Sequence, residues 1–203
     1  MKQVLVLGSE SIFRKQVLLD AGYEIEVLPA NIDEKAIRSK SAEALTLALA
    51  EAKAIEVVKK LQEQGRTGCV ITGDQVVEWN GHILEKPESR EQAEAQLKSY
   101  RFMNPKTVTA VCVWNMENGE SAKEVETVEF VVSPFSADEM DIILGDPVTY
   151  KCCGALPCGV KDSRAAEIVA KRQTIPEGKV SSVIGMPLDV LNRLLVKTKF
   201  IDA

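Results

Sequence analysis

The sequence predicts a mixed α/β fold, a single unit over residues 1–203. Three observations carry that expectation. Short, wholly apolar runs at Val4–Leu7 and Cys69–Ile71 give way to polar turn residues, as buried strands do. A long Ala-rich stretch, Ser41–Gln64, reads as a helix stopped by Gly65. Asn80-Gly81, set between two short runs, signals a tight hairpin. Parallel crossovers and hairpins are therefore both expected in one sheet.

Each element follows in order. Residues Met1–Leu7 read as a short strand rather than a secretion signal. Gly8-Ser9-Glu10-Ser11 is a loop with Ser11 as N-cap. It opens a helix over Ile12–Asp20 that Gly22 ends, with Val17, Leu18 and Leu19 largely buried. Tyr23–Leu28 alternates in part and is a second strand, closed by Pro29. Asn31–Glu34 is a loop or helix entry. The helix over Ser41–Gln64 is apolar on most of its surface, so it should be mostly buried rather than amphipathic. The strand at Cys69–Ile71 stops at Thr72-Gly73-Asp74, and the hairpin returns to Lys86-Pro87. Ser89 caps a helix to about Tyr100, with Glu91 and Glu94 suiting its early turns. Thr107–Met116 and Val125–Val132 are two long strands joined by the turn Glu117-Asn118-Gly119-Glu120. Ala137–Leu144 is a short acidic helix ended by Gly145. Asp146–Gly159 is irregular, Ser181–Gly185 a late strand and Leu188–Val196 a last helix. No repeat or low-complexity segment interrupts the chain.

Composition narrows the function classes. Hydrophobic residues make up 45% and charged residues 27%, which suits a globular chain with a real core. The net charge is −5 with no block of like charges, which argues against a general nucleic-acid binder but leaves a small anionic ligand open. No apolar run approaches the ~18 residues of a membrane span. The 5 cysteines are odd in number, and Cys69 and Cys112 sit inside apolar runs as buried thiols. A reducing, cytoplasmic setting is the expectation.

Four groups of residues could carry chemistry. In Gly8–Lys15 a loop opens a helix, whose free N–H groups and positive dipole end suit a phosphate. Arg14 and Lys15 lie in the first turn, where cations are disfavoured unless an anion binds. A plain strand–turn–helix with solvated basic residues fits the same letters. Asp33-Glu34 could hold a divalent metal through oxygen or simply favour a helix start. Lys53 sits in an Ala-rich, mostly buried helix and needs an anionic partner there, unless it snorkels to the surface. Asp74, an acid at the end of a buried strand, is costly unless something uses it. Lys86 returns on the same hairpin as an anion clamp; a turn acid and a surface lysine are the plainer reading. Cys152, Cys153 and Cys158 lack zinc-finger spacing, and the single histidine, His82, at a hairpin tip makes a Ser–His–Asp arrangement for Ser9 a poor fit. Cations for phosphate oxygens, with acids for metal and water, suit phosphoanhydride hydrolysis.

These residues resemble the Maf family. The likeness rests on Gly8-Ser9-x-Ser-x-x-Arg14-Lys15, Asp33-Glu34, Lys53-Ala54, Gly73-Asp74-Gln75-Val76, Lys86-Pro87 and Ser182–Leu188, in the family's order. The resemblance implies a mixed-sheet α/β unit with two lobes flanking a deep nucleotide cleft, and in many members a homodimer. It implies a nucleoside triphosphate pyrophosphatase that cleaves between the α- and β-phosphates with Mg²⁺ or Mn²⁺, with no nucleic acid or membrane partner. Carried over, Asp74 is the general base, and Ser9, Arg14, Glu34, Lys53 and Lys86 are the remaining polar site positions. As a working mechanism, Glu34 or Asp74 holds the metal, and Ser9, Phe13, Arg14, Lys15, Lys53, Gln75 and Lys86 are the expected substrate-binding residues. Phe13 before Arg14, and Gln75 after Asp74, resemble the branch that favours 7-methyl-GTP over the one that favours dTTP and UTP. Thr109–Cys112 and Lys151–Gly154 point the same way. Two positions depart: Ile12 stands where the family usually has proline, and Gly159 where a polar Gln or Glu serves the site. The alternatives are a dTTP/UTP enzyme, or a nucleotide-binding regulator with impaired catalysis.

Overall fold

A computed structural model describes residues 4–202. The part of the first-strand expectation that falls on residues 1–3 lies outside the described residues. Eight strands and seven α-helices are described. The fold is mixed α/β, as the sequence predicts, with a main sheet in the order β2 (Ile25–Val27), β1 (Leu5–Leu7), β3 (Cys69–Trp79), β5 (Lys106–Asn115) and β6 (Ser121–Glu129), and a sixth strand, β4 (His82–Leu84), on β3. β1 is parallel to both β2 and β3, in register Leu5↔Ile25 and Leu5↔Cys69. β3 is antiparallel to β4 through Val77↔Leu84 and Trp79↔His82. The turn between them has both Asn80 and Gly81 at positive φ, 49° and 75°, as a two-residue hairpin turn requires.

The chain forms two compact units. Unit 1 comprises residues 1–74, 109–126 and 185–203, and unit 2 comprises residues 75–108 and 127–184. β3, β5 (Lys106–Asn115) and β6 (Ser121–Glu129) run from one unit into the other.

In unit 1, Leu5, Leu7, Cys69, Ile71, Val111 and Val113 pack with Leu18 of α1 (Ile12–Asp20) and with Leu191, Leu194 and Leu195 of α7 (Leu188–Lys197). On the opposite side of the strands, Val6 and Val70 pack with Val57, Val58 and Leu61 of α2 (Ala42–Glu63). The alternation is the strand period of two, so both sheet faces are covered.

In unit 2, Leu97 and Tyr100 at the end of α3 (Arg90–Ser99) pack with Phe130, Ile143 of α4 (Ala137–Gly145) and Val169 of α5 (Arg164–Arg172). Ser136 caps α4 in a full capping box with Glu139.

Several expectations change. β3 does not stop at Thr72-Gly73-Asp74; it runs unbroken to Trp79, so Asp74 is mid-strand. It is β1 that ends, at Leu7 beside Ile71, and Asp74 lies three residues beyond that end. α2 is amphipathic rather than mostly buried. Its buried residues, including Leu45, Leu49, Lys53, Val57 and Leu61, form one stripe at helical spacing, while Ile55 is exposed. Leu19 is exposed, and Leu18 alone of its trio is fully buried. The long second hairpin strand is interrupted: β6 ends at Glu129 and β7 (Val131–Val132) pairs with β8 (Gln173–Thr174) instead. Ser181–Gly185 is not a strand. Val180–Ile184 form the short helix α6, because the Pro176-Glu177-Gly178-Lys179 turn feeds it, with Val183 N donating to Lys179 O, before Gly185 takes φ 115°. α5, which the sequence reading passed over, opens on the N-cap Ser163.

Candidate functional site

The unit 1 site begins where β1 ends. The loop after Leu7 holds Ser9, which is 8% exposed, and Ser11 caps α1 by accepting from Arg14 N at 3.3 Å. Arg14 turns back over this loop. Its guanidinium donates to Ser9 Oγ at 3.2 Å and to Gly185 O at 2.9 Å. It also passes Gly73 closely: a Cβ there would lie 3.6 Å from Arg14 Nε and 2.9 Å from Ala110 O. Gly73 is therefore demanded by space, not by φ. The cation in the first turn is tied down by a hydroxyl and a carbonyl, which keeps it beside the helix N-terminus. Phe13 is half-buried and Lys15 exposed on the same turn.

Lys53 and Asp74 are both 7% exposed. The Lys53 ammonium donates to Asp74 Oδ1 at 2.7 Å and makes an ion pair with Glu34 Oε1 at 2.9 Å. A buried acid and a buried lysine thus find each other, as their desolvation requires. Asp33 does what its plainer reading proposes: it caps the 3-10 turn Glu34–Ala36 by accepting from Lys35 N at 3.1 Å. Glu34 reaches Lys53 instead, with its side chain about half exposed (52%).

The chain leading into this turn is held by Lys60, which the sequence does not single out. Lys60 lies two helical turns after Lys53, and its ammonium donates to Pro29 O at 2.8 Å and Ala30 O at 2.6 Å. The spacing was visible in the sequence; the carbonyls it meets were not.

Unit 2 holds Gln75 and Lys86. Gln75 Nε2 donates to Ser182 O at 3.0 Å and Val183 O at 3.3 Å, both carbonyls of α6. Gln75 O accepts from Cys153 Sγ at 2.9 Å. Lys86 is exposed just after β4. The backbone before it is pinned: Glu85 O accepts from Gly154 N at 3.2 Å and from Gln96 Nε2 at 3.3 Å.

Gly159 has φ 70°, and a Cβ there would lie 2.6 Å from Ile184 Cδ1. No side chain fits that position without moving Ile184, so glycine is built into the local backbone. Ile12 is the first residue of α1 and is 60% exposed. Its N–H precedes the helix's own bonding, which is why proline is common there and why isoleucine is tolerated.

All five cysteines are free. Burial pushes the Cys158 thiol up to about 11 and raises Cys152 further, so these thiols are held protonated and are poor nucleophiles. A groove of about 390 Å³ between α3 and α4 contains none of the candidate residues, and its Arg90 is paired with Asp141 at 2.7 Å.

The described residues contain no cluster of three or more His, Cys, Asp or Glu that could hold a metal. Two carboxylates on one ammonium do supply the hard oxygen donors that Mg²⁺ or Mn²⁺ takes when substrate phosphates and water complete its shell. The donor set therefore fits such an ion.

Fold and site together define an α/β protein with cations and acids, Lys53 and Asp74 buried among them, gathered at the carboxyl end of a parallel strand pair, a common place for ligands in open α/β sheets. The chain belongs to the Maf-like protein family, whose model matches residues 4–198. It is 32% identical over 94% of its length to a protein of Dictyostelium discoideum named 7-methyl-GTP pyrophosphatase, covering 95% of that protein. A nucleoside triphosphate pyrophosphatase of Streptomyces coelicolor is 32% identical, with 94% of this chain and 88% of that protein aligned. A dTTP/UTP pyrophosphatase of Caldicellulosiruptor bescii is 30% identical, with 95% and 94% aligned.

Proposed function

We propose that this protein is a nucleoside triphosphate pyrophosphatase that hydrolyses the bond between the α- and β-phosphates, releasing a nucleoside monophosphate and pyrophosphate. The observation that carries the reading is the buried Lys53 ammonium shared by Asp74 and Glu34. Lysine is there for phosphate charge, and the acids are there for water and metal. A divalent ion, when bound, neutralises charge on the phosphate oxygens.

Within this reading Asp74 orients the attacking water and accepts its proton, since its position fixes a carboxylate in a nearly water-free site. Arg14 is anchored by Ser9 and Gly185 O with its remaining donors available for a phosphate oxygen. Lys53 and Lys86 supply further positive charge, and Lys15, exposed beside Arg14, draws the anion in. Phe13 offers a half-buried aromatic face to the base, and a cationic methylated guanine gains most from such a face. Gln75 is the residue that reads the base in this proposal; its amide nitrogen is tied to α6. A 7-methyl-GTP preference and a reducing cytoplasmic setting, consistent with five free thiols, complete the proposal.

The test is pyrophosphate release from 7-methyl-GTP, GTP, dTTP and UTP, with Mg²⁺ or Mn²⁺. Preference for 7-methyl-GTP supports the reading in full. Preference for dTTP and UTP moves the chain to the other branch. Tight nucleotide binding with no pyrophosphate from any member marks a regulator and overturns the enzymatic reading.

A further inference from the structure

We infer that Lys53 is a resident counter-ion that occupies the divalent-cation position of this site, so that the metal enters with the triphosphate and not before it. The inference rests on the proposed function for the identity of the anion, but its evidence is local. One ammonium, 2.7 Å from Asp74 Oδ1 and 2.9 Å from Glu34 Oε1, spans the two carboxylates offered to a metal. About half of their negative charge is therefore compensated while the ammonium stays in place. A divalent ion arriving alone meets a like charge at its own ligands, and screening is weak at the buried Asp74, though not at the half-exposed Glu34. It would have to displace the ammonium of Lys53, a buried residue, from both acids it faces.

A triphosphate changes that balance. It carries several negative charges, and a flexible lysine stem lets the ammonium swing from carboxylate to phosphate oxygen without leaving an anionic partner. The swing exposes Asp74 and Glu34 at the same moment that the metal–phosphate complex needs oxygen ligands. Lys60 has no such freedom. Its ammonium is fixed on two carbonyls, which keeps the chain leading into Glu34's turn in place while Lys53 moves.

The experiment is Mn²⁺ binding followed by electron paramagnetic resonance, with no nucleotide present, on wild type, Lys53→Met and Lys53→Met/Glu34→Gln. Lys53→Met should bind Mn²⁺ at least tenfold more tightly than wild type, and the gain should vanish in the double variant. Equal Mn²⁺ affinity in wild type and a folded Lys53→Met overturns the inference. A second measurement needs no variant. Wild type carrying ¹³C-labelled carboxylates should show ¹³C–Mn²⁺ hyperfine coupling only after an α,β-methylene nucleoside triphosphate is added. Equal coupling with Mn²⁺ alone overturns the inference as well. Neither arm reads turnover, so a chain that failed to release pyrophosphate could still support the counter-ion role, and an active enzyme could still refute it.

Discussion

Asp74→Asn tests the proposed chemistry most directly. The change removes one negative charge and keeps the shape of the side chain. Asp74 is 7% exposed and accepts from Lys53 at 2.7 Å. A hydrogen bond to a charged group contributes ~1.5–3 kcal/mol, and stripping one partner from a buried ion pair costs ~3–5 kcal/mol. The asparagine carbonyl still accepts from Lys53, and Glu34 at 2.9 Å keeps the ammonium paired. The lower figure therefore applies, a loss of ~1.5 kcal/mol. In a chain of 203 residues that lowers Tm by ~3–6 °C. Loss of a positioned proton acceptor lowers turnover by ~10²–10⁴-fold. The variant should thus remain folded at 25 °C while pyrophosphate release collapses. Thermal melts and a coupled pyrophosphate assay on the same preparation separate the two effects. Wild-type turnover from folded Asp74→Asn refutes the general-base role. A melt lowered by much more than this, with activity lost in proportion to folded protein, would make the pair structural.

Lys60→Met removes two charge-assisted bonds and should cost ~1.5–3 kcal/mol, with faster amide hydrogen exchange concentrated at residues 31–36; uniform exchange across the chain would refute a local role. Ile12→Pro should stabilise by ~0.4–1 kcal/mol, because the first helical position accepts proline's φ and needs no N–H, and a lowered Tm would contradict that placement. Gly159→Gln should lose ~1–3 kcal/mol to its left-handed φ and the Ile184 contact. It should not raise turnover, and a gain would show that the backbone can accept the family's usual residue. Burial pushes the Cys69 thiol up to about 12 and that of Cys112 up to about 11. A thiol raised on folding holds its proton longer than the unfolded chain does, so stability should fall as pH rises from the ordinary thiol range of ~8.5 toward those values. Denaturation midpoints between pH 8 and 11 check this, and Cys69→Ala should flatten the slope.

Local chemistry made much of this architecture legible in advance. Asn80-Gly81 announced its hairpin because both positions need positive φ. Ser11 and Ser89, expected as caps, each accept from a helix's free N–H. The Lys53 and Asp74 readings were legible because a buried charge demands a partner, even though nothing in the letters names it. What escaped was set by neighbours in space. Val180–Ile184 has strand-like side chains, yet it becomes a helix because a tight turn feeds it. Asp74 looked like a strand end because glycine and threonine precede it, when the strand that ends there is β1. Lys60 was invisible as an anchor because its partners are backbone carbonyls, which every sequence has at every position.

The parallel pairing of β1 with β3 also shapes how the chain must be made. β1 finds β2 after one short helix, but its other edge has no partner until Cys69–Ile71 exists. At roughly 5–20 residues per second, a ribosome needs about 3–12 s to carry the chain from Leu7 to Cys69. For that interval the apolar edge Leu5-Val6-Leu7 is open to any other strand, and the Lys53–Asp74 pair cannot form. The nascent chain is thus most prone to wrong pairing before the Lys53–Asp74 pair exists. Slowing synthesis ahead of β3, or withholding chaperones, should lower the yield of folded protein without changing the stability of what does fold.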